Sequence, residues 1–495
     1  MAGQCTVRSA TLRGVEAVPV DVEVVVGNGM PGFFIVGMPD AAIQESRERV
    51  RAALRASGFS MPNERVVVNL APGSLRKTGS GFDLPIAAGI LIATGQVDPR
   101  RARGRLLVGE LSLEGAVRPV AGMLAYALCA RAEGLGVLRG AADAGFVAVE
   151  GVEQEVAPSL SALRAGAFSR PHAVARAERP PQPDFADIAG HDMAKRALQI
   201  AAAGSHGLLM MGPPGSGKTM LASRLPSILP PLSDDEALET ALIHSVAGED
   251  ASFALDGVRP FRNPHHTASS AGLIGGGSPP RPGEISLAHN GVLFLDELAE
   301  FRPSVLQGLR QPLESGRVVI TRADGNVAFP ARFMLVAASN PCPCGHLGDP
   351  ERACLCGVPQ IRAYRNRIGG PLMDRIDLHI DVRRIPPAEV LGTGGGSSSA
   401  ELRAGVMRAR EFAVRRRMRQ GGGTGTQALV RSCGLSGEDS SFFEQAAQRM
   451  RMSGRAIMRT LAVARTIADM DEAERVERAH LCEALAFRVR EGEGS

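Results

Sequence analysis

Three groups of residues in this chain have the types and spacing of chemistry. The first is GPPGSGKT, running from Gly212 through Pro213, Pro214, Gly215, Ser216 and Gly217 to Lys218 and Thr219. It fits Gly-x-x-x-x-Gly-Lys-Thr, in which glycines let backbone N–H groups wrap phosphates, the lysine reaches the β and γ phosphates and the threonine hydroxyl meets Mg²⁺. The second is the acidic pair Asp296 and Glu297, delivered by the apolar run GVLFL. An aspartate there can hold the metal through its water shell, and the glutamate beside it can orient or deprotonate the water that attacks the γ-phosphate. The third is NPCPCGHLGDPERACLC, where Asn340 ends another apolar run and Cys342, Cys344, Cys354 and Cys356 follow as two Cys-x-Cys pairs. Asn340 offers a polar side chain to the attacking water, the alternative being a simple strand-end cap. Four thiols suffice to close a tetrahedral Zn²⁺ site, structural because no position stays open; four reduced thiols in a loop are the alternative. His346 could substitute as a ligand.

These residues need elements to carry them. HGLLMM reads as a strand into the glycine loop and MLASRLPSIL as a helix out of it, while GVLFL and FMLVAAS read as buried strands. Strand-then-helix repetition over 186–391 predicts a mostly parallel sheet covered by helices, and 401–495 reads as helical throughout. Residues 1–170 alternate β-rich runs such as VDVEVVVG and RVVVNLAPG with helical ones. In PDAAIQESRERVRAALRASG, Asp40 is the expected N-cap, Ile43, Val50 and Leu54 share a face, and Gly58 ends the helix. Its arginines read as a solvated face paired with Glu45 and Glu48. A Pro-rich charged stretch at 171–185 and a Gly/Ser stretch at 392–400 read as linkers.

The bulk composition sets bounds. A chain of 495 residues exceeds one compact core, and 44% hydrophobic with 22% charged residues is globular. A net charge of +4 permits a nucleic-acid groove without requiring one. The start lacks a signal-like apolar core, and LPIAAGILIATG is too short and glycine-broken to span a bilayer, so a cytoplasmic protein without membrane partners is expected. In a reducing compartment clustered cysteines bind metal or stay as thiols rather than form disulfides. Trp is absent and Tyr126 and Tyr364 are the only tyrosines, so stacking on bases is poorly supplied. Nucleic-acid contact would go to phosphates, through basic runs such as REFAVRRRMRQ and IRAYRNRIGG, whose bland alternative is solvated helix faces. His265 and His266 have no evident thiol or carboxylate partner and read as loop contacts rather than metal ligands.

The segments FRNPHHTASSAGLIGGG, PGEISLAHNGVLFLDELAEF, NPCPCG and GPLMDRIDLHI resemble the magnesium-chelatase-like branch of the AAA+ ATPases, and within it the YifB/ComM competence-protein family. The resemblance runs over almost the whole chain. It implies an α/β architecture: an N-terminal Lon-protease-like (ribosomal-S5-domain-2-like) α+β domain over 1–170, an AAA+ P-loop α/β core over 186–391, and a C-terminal helical lid over 401–495. It implies ATP and Mg²⁺ as cofactors, a homo-hexamer, and DNA, branched or forked, as partner. The implied function is an ATP-dependent DNA motor for branch migration or unwinding in homologous recombination and natural transformation. A chelatase-type motor subunit and a protein-remodelling ATPase are the alternatives. By the same resemblance Arg375, in PLMDRIDL, is the arginine finger acting on a neighbour's site, and Arg455, in SGRA, is the sensor of the lid. Without it, Arg375 beside Asp374 and Asp377 reads as a surface ion pair and Arg455 as a helix cap. The run between the loop helix and Val292, and a hairpin with its turn at Asp324-Gly325, resemble loops that face the ring pore. In the Lon-like segments KTGSGFDLPIAAGIL and VGELSLEGAVRPVAGML, Gly81 takes the serine position, or Ser80 after a shift of one residue. Leu124 takes the lysine position, which implies no peptidase activity.

Overall fold

The computed structural model describes residues 3–141, 146–171, 183–322, 325–349, 351–386, 396–423 and 425–488. Residues 172–182, most of the first expected linker, residues 387–395, which include 392–395 of the second, and the turn residue Asp324 lie outside the described residues.

The amino-terminal part is built on a seven-stranded mixed sheet in the order Gly32–Val36, Arg65–Ala71, Glu16–Gly27, Gly3–Arg13, Arg105–Val108, Gly136–Arg139, Gln154–Val156. Helices Ala41–Ala56 and Asp83–Ala93 pack on it around Val20, Val22, Val24, Val66 and Val68. The first of these helices starts where the sequence placed it, with the Asp40 carboxylate accepting from the Ile43 N–H at 2.9 Å and Ile43, Val50 and Leu54 fully buried. One arginine departs from the expected solvated face: Arg49 turns inward to the buried Asp83 at 2.7 Å, with only Glu45 outside it.

The second sheet has five parallel strands in the order Phe261–Arg262, Val292–Leu295, Met334–Ser339, Leu208–Met211, Leu378–Asp381. All four residues of Val292–Leu295 and all six of Met334–Ser339 are buried, as strands covered on both faces must be. Ligands of such sheets bind beyond the carboxyl ends of the strands, so the order alone places the glycine loop, Asp296 and Asn340 on one rim. The run before Val292, which resembles pore-facing loops, contributes to the sheet itself. Its Phe261–Arg262 forms the edge strand, a pairing two residues long that periodicity cannot reveal. The hairpin arms are Arg317–Arg322 and Gly325–Pro330, paired antiparallel.

Five carboxy-terminal helices follow: Ser399–Arg419, Thr426–Cys433, Gly437–Arg449, Gly454–Met470 and Arg478–Ala486. The Gly/Ser stretch ends sooner than residue 400, because Ser398 and Glu401 form a capping box and Ser399 is already helical. The earlier linker also ends sooner than 185. Phe185 is fully buried and its N–H donates to Ser399 Oγ at 2.9 Å, while the Ser399 N–H donates to the Asp184 carboxylate at 2.8 Å. Among the described residues no helix is long and apolar enough to cross a membrane.

Candidate nucleotide site and thiol cluster

Strand Leu208–Met211 runs directly into the glycine loop, and helix Lys218–Ile228 leaves it. Gly215 and Gly217 take φ of +77° and +85°, a left-handed backbone that other residues enter only with strain. Gly212 is needed for a different reason: a Cβ there would stand 2.1 Å from the Val382 carbonyl oxygen. The Lys218 ammonium folds over the loop, donating to the carbonyls of Gly212 at 2.8 Å and Pro213 at 2.9 Å, with Asn340 Oδ1 at 3.4 Å. Burial lowers the Lys218 pKa, and the nearby charges of Asp296 and Glu297 partly offset this.

Across the rim, Thr219 Oγ1 donates to Asp296 Oδ2 at 2.6 Å, and the Glu297 N–H donates to Asp296 Oδ1 at 2.9 Å. A hydroxyl and a carboxylate converging on one point are hard oxygen donors suited to Mg²⁺, which takes few protein ligands and keeps several waters. Glu297 itself sits at φ +51° and ψ +47°, a conformation uncommon for a non-glycine residue. The structure thus gathers Gly212 to Thr219, Asp296, Glu297 and Asn340 in one place. It also adds two residues that sequence reasoning missed. Arg384 donates to the Pro214 carbonyl at 3.1 Å, and His191 Nε2 lies 3.4 Å from where a Cβ on Gly217 would be. Neither stands in a motif; only the three-dimensional return of the chain reveals them. His266 is a correction of another kind, since its Nδ1 lies 3.2 Å from Glu297 Oε2 and a carboxylate is therefore at hand. His265 makes a loop contact, to Thr267 Oγ1 at 2.8 Å.

Arg375 and Arg455 are elsewhere. Arg375 precedes strand Leu378–Asp381, hence lies at the opposite end of the sheet from the glycine loop. It pairs with Glu314 at 2.5 Å, and Arg455 reaches the same Glu314 oxygen at 2.9 Å. Asp377 serves Arg459 and His206 instead, and accepts from the Gly207 N–H at 3.0 Å. Burial alone would raise the Asp377 pKa, but the His206 hydrogen bond and the Arg459 charge overcome it and hold the carboxyl at about 2.

Cys342, Cys344, Cys354 and Cys356 bring their sulfurs within 4.8 Å of one another. Three of the separations are 3.4, 3.6 and 3.6 Å. A Zn–S bond of about 2.3 Å gives tetrahedral S···S edges of about 3.8 Å, so the cluster has the dimensions of a Zn²⁺ site. Backbone N–H groups of His346 and Leu355 donate to the Cys344 sulfur and hold that thiol down to about 6. The Cys356 N–H points at Cys354 and the Cys344 N–H at Cys356, but desolvation and the neighbouring thiols outweigh these donors, raising Cys356 and pushing Cys354 up to about 12. In the metal-free cluster Cys344 is thus the thiol poised as thiolate, the form that binds metal. His346 is engaged with Asp349 at 2.9 Å and stands outside the cluster. The loop also presses on the nucleotide site: at Gly345, φ +82°, a Cβ would stand 2.6 Å from Pro214 Cδ.

In the amino-terminal part, Ser80 donates its hydroxyl to Glu110, and Gly81 is buried against Val108, whose Cγ2 lies 3.1 Å from a Cβ built there. Leu124 belongs to an apolar cluster with Leu232, Ala237 and Ala241, which joins this part to the nucleotide-binding part. The buried Lys77 spends its ammonium on the carbonyls of Gly37 and Pro72.

Three family models match the chain: "Magnesium chelatase, subunit ChlI" over residues 184–390, "Subunit ChlI of Mg-chelatase" over 22–138, and "Magnesium chelatase, subunit ChlI C-terminal" over 396–488. The chain is 42% identical to the uncharacterized protein YifB of Salmonella typhimurium, covering 96% of this chain and 95% of that one. It is also 42% identical to the competence protein ComM of Haemophilus influenzae, covering 98% and 97%. Similarity to the magnesium-chelatase 67 kDa subunit of Chlorobaculum parvum is 29% over 161 residues, covering 32% of this chain and 23% of that subunit.

Proposed function

The chain belongs to the YifB/ComM family of magnesium-chelatase-like proteins, an AAA+ ATPase class, and on that premise we propose that it is a cytoplasmic, ring-forming ATPase that moves branched or forked DNA during recombination and DNA uptake. The observation that carries the reading is an intact hydrolysis rim in a chain that matches a competence protein along 97% of its length.

In this reading the loop amides and Lys218 hold the triphosphate, and Thr219 with Asp296 would hold Mg²⁺, which would supply neutralisation of phosphate charge. Glu297 accepts the proton of the attacking water, and Asn340 orients that water beside Lys218. Arg375, at the end of the sheet away from the glycine loop, and Arg455, at the start of helix Gly454–Met470, meet at Glu314 and face the next subunit of a hexamer, where a guanidinium stabilises the charge of the transferring phosphoryl group. One Zn²⁺ on Cys342, Cys344, Cys354 and Cys356 braces the loop that follows Asn340. The amino-terminal part acts as a platform without peptidase chemistry, since the position of the peptidase lysine is taken by Leu124, which lies in an apolar cluster, and the serine position by Gly81, or by Ser80 after a shift of one residue.

DNA phosphates would meet exposed arginines. Arg403, Arg408, Arg415, Arg417 and Arg419 are exposed on helix Ser399–Arg419, as are Arg362, Arg365 and Arg367 on helix Val358–Ile368. Part of the basic run is structural instead, because Arg416 is buried on Asp469 at 2.8 Å. The deciding experiment measures ATP turnover with forked DNA, single-stranded DNA, an unfolded protein and a porphyrin as separate stimulants. Stimulation by forked DNA, weakening steeply with salt, is expected. Stimulation by porphyrin or protein alone would replace the DNA reading with the chelatase or remodelling one.

A further inference from the structure

A cavity of about 800 Å³ opens between the carboxy-terminal helices and the nucleotide-binding part. One wall is the stretch from Ala203 to His206, where helix Asp192–Gly204 ends and the chain turns into strand Leu208–Met211. The glycine loop leaves the other end of that strand, so the cavity lies at the opposite end of the sheet from it. Helices Ser399–Arg419, Thr426–Cys433 and Gly454–Met470 supply the remaining walls.

Among the described residues five arginines line the cavity, Arg410, Arg416, Arg417, Arg431 and Arg465, against one carboxylate, Asp469. That carboxylate is already shared. Arg416 holds it through two donors at 2.8 and 3.0 Å, and Arg465 reaches it at 3.1 Å. Arg410 and Arg417 donate to neutral groups instead, Arg410 to the Ala202 carbonyl at 2.8 Å and the Ser205 hydroxyl at 2.9 Å, Arg417 to the Ala413 carbonyl at 3.2 Å. The lining therefore carries a clear excess of positive charge. Burial pushes the Arg410 pKa down to about 10, with Arg259 and Arg417 adding repulsion and Glu236 opposing it, and burial lowers Arg465 as well. The Nε atoms of Arg410 and Arg465 are buried without a hydrogen-bond partner among the described residues, and Arg465 is only 3% exposed. An unpaired buried donor is a standing cost that an added acceptor removes.

We propose that this cavity is a second phosphate-binding site, separate from the glycine loop, which takes a polyphosphate group of nucleotide size. A guanidinium offers paired N–H donors that match two oxygens of one phosphate, and several of them around a concave wall attract a multiply charged anion far more than a single carboxylate. The volume is that of a small-molecule site. Room for the ligand comes from small side chains, since Ala409, Ala413, Ala428 and Ala462 all face it. The mouth is open at the glycine run, where a Cβ on Gly422 or Gly425 would meet no described atom within 4 Å. No phenylalanine or tyrosine lines the cavity among the described residues, so recognition rests on phosphates and not on a stacked base. The phosphates can come from a free nucleotide or polyphosphate, or from the backbone of a single nucleic-acid strand. Because opposite walls belong to the carboxy-terminal helices and to the nucleotide-binding part, the bound anion ties the two together.

The test uses full-length Lys218→Ala protein, in which the glycine loop lacks its lysine. Calorimetric titration with tripolyphosphate reads the free-ligand source, and fluorescence anisotropy of a short labelled thymidine oligonucleotide reads the strand source. Both are repeated after adding Ala428→Glu, which sets a carboxylate among the arginines, or the pair Arg417→Gln with Arg431→Gln, which removes two exposed charges. Tripolyphosphate should bind at about one per chain, more weakly as salt rises, and each added change should weaken it about tenfold or more, the scale of one charge-assisted hydrogen bond. It should also raise the Tm of the Lys218→Ala protein, and that shift should vanish with Ala428→Glu. Oligonucleotide binding alone, lost with the same substitutions, would assign the site to a strand backbone. Should Ala428→Glu melt well below its parent, the exposed pair carries the decision. If neither probe is weakened by the substitutions in proteins that melt like their parent, the proposal is overturned. No ATP turnover enters these readouts, so the result stands apart from the motor reading.

Discussion

Arg375 and Arg455 meet on one oxygen of Glu314, at 2.5 and 2.9 Å. They come from different parts of the chain, one from the turn before the last strand of the sheet and the other from the start of helix Gly454–Met470. Arg375 is largely shielded, while Glu314 and Arg455 are about half exposed. A carboxylate shared by two guanidiniums leaves one net positive charge, carried where Arg455 reaches solvent.

If Arg375 acts on a neighbouring subunit, Arg375→Ala should bind ATP like the parent and hydrolyse it at least about a hundredfold more slowly. Mixing it with Lys218→Ala subunits should restore part of the turnover, since each variant damages a different side of a shared interface. Titrated mixtures assayed for phosphate release check this. A mixture no more active than its components would remove the acting-in-trans role.

Glu297→Gln and Lys218→Ala should separate binding from chemistry. The first keeps the phosphate contacts and loses the proton acceptor, so nucleotide affinity should stay while kcat falls by about two orders of magnitude or more. The second removes the cation that sits on the loop carbonyls and Asn340, so affinity itself should fall. Equilibrium binding of a labelled nucleotide alongside single-turnover hydrolysis distinguishes the two.

The geometry of the rim was legible because it depends on local spacing: the glycines at 215 and 217 are where a left-handed backbone is required, and the buried strands end at Asp296 and Asn340. The thiol cluster was legible for the same reason. What sequence could not disclose depends on the chain returning to itself. Glu314 lies 61 residues before Arg375, and Arg384 reaches Pro214 across 170. The edge strand beside Val292 is two residues long, too short for a period-two pattern, so the pairing that brings His266 to Glu297 was hidden. Likewise Asp377 resembled a surface partner of Arg375 and proves to be a buried anchor for Arg459 and His206.

That anchor has a pH signature. The Asp377 carboxyl is held at about 2 against an ordinary 3.8, a depression worth about 2 kcal/mol. A group depressed on folding contributes stability above its unfolded pKa and loses it as pH falls through the folded value. Asp377→Asn should therefore lower Tm clearly at pH 7, and the gap to the parent should close as pH drops from about 4 towards 2. Thermal melts across that range test it; a gap that does not depend on pH would assign the loss to packing instead.

The metal site gives the last prediction. Purified full-length protein should carry about one Zn²⁺ per chain, because four sulfurs at tetrahedral dimensions leave no donor lacking and no open position. Cys354→Ser with Cys356→Ser should lose the metal and lower Tm by several degrees, since metal binding free energy adds to folding. The consequence should reach hydrolysis. Cys342 is buried two residues after Asn340, and the same loop packs Gly345 against Pro214, so slack in the loop would loosen both Asn340 and the glycine loop. The double variant should therefore lose kcat more than nucleotide affinity. Metal analysis after gel filtration in metal-free buffer, paired with nucleotide binding, reads both halves. Zinc-free parent protein with full thermal stability would leave the four cysteines as ordinary reduced thiols, and a zinc-loaded parent whose variant hydrolyses ATP normally would confine the metal to the loop itself.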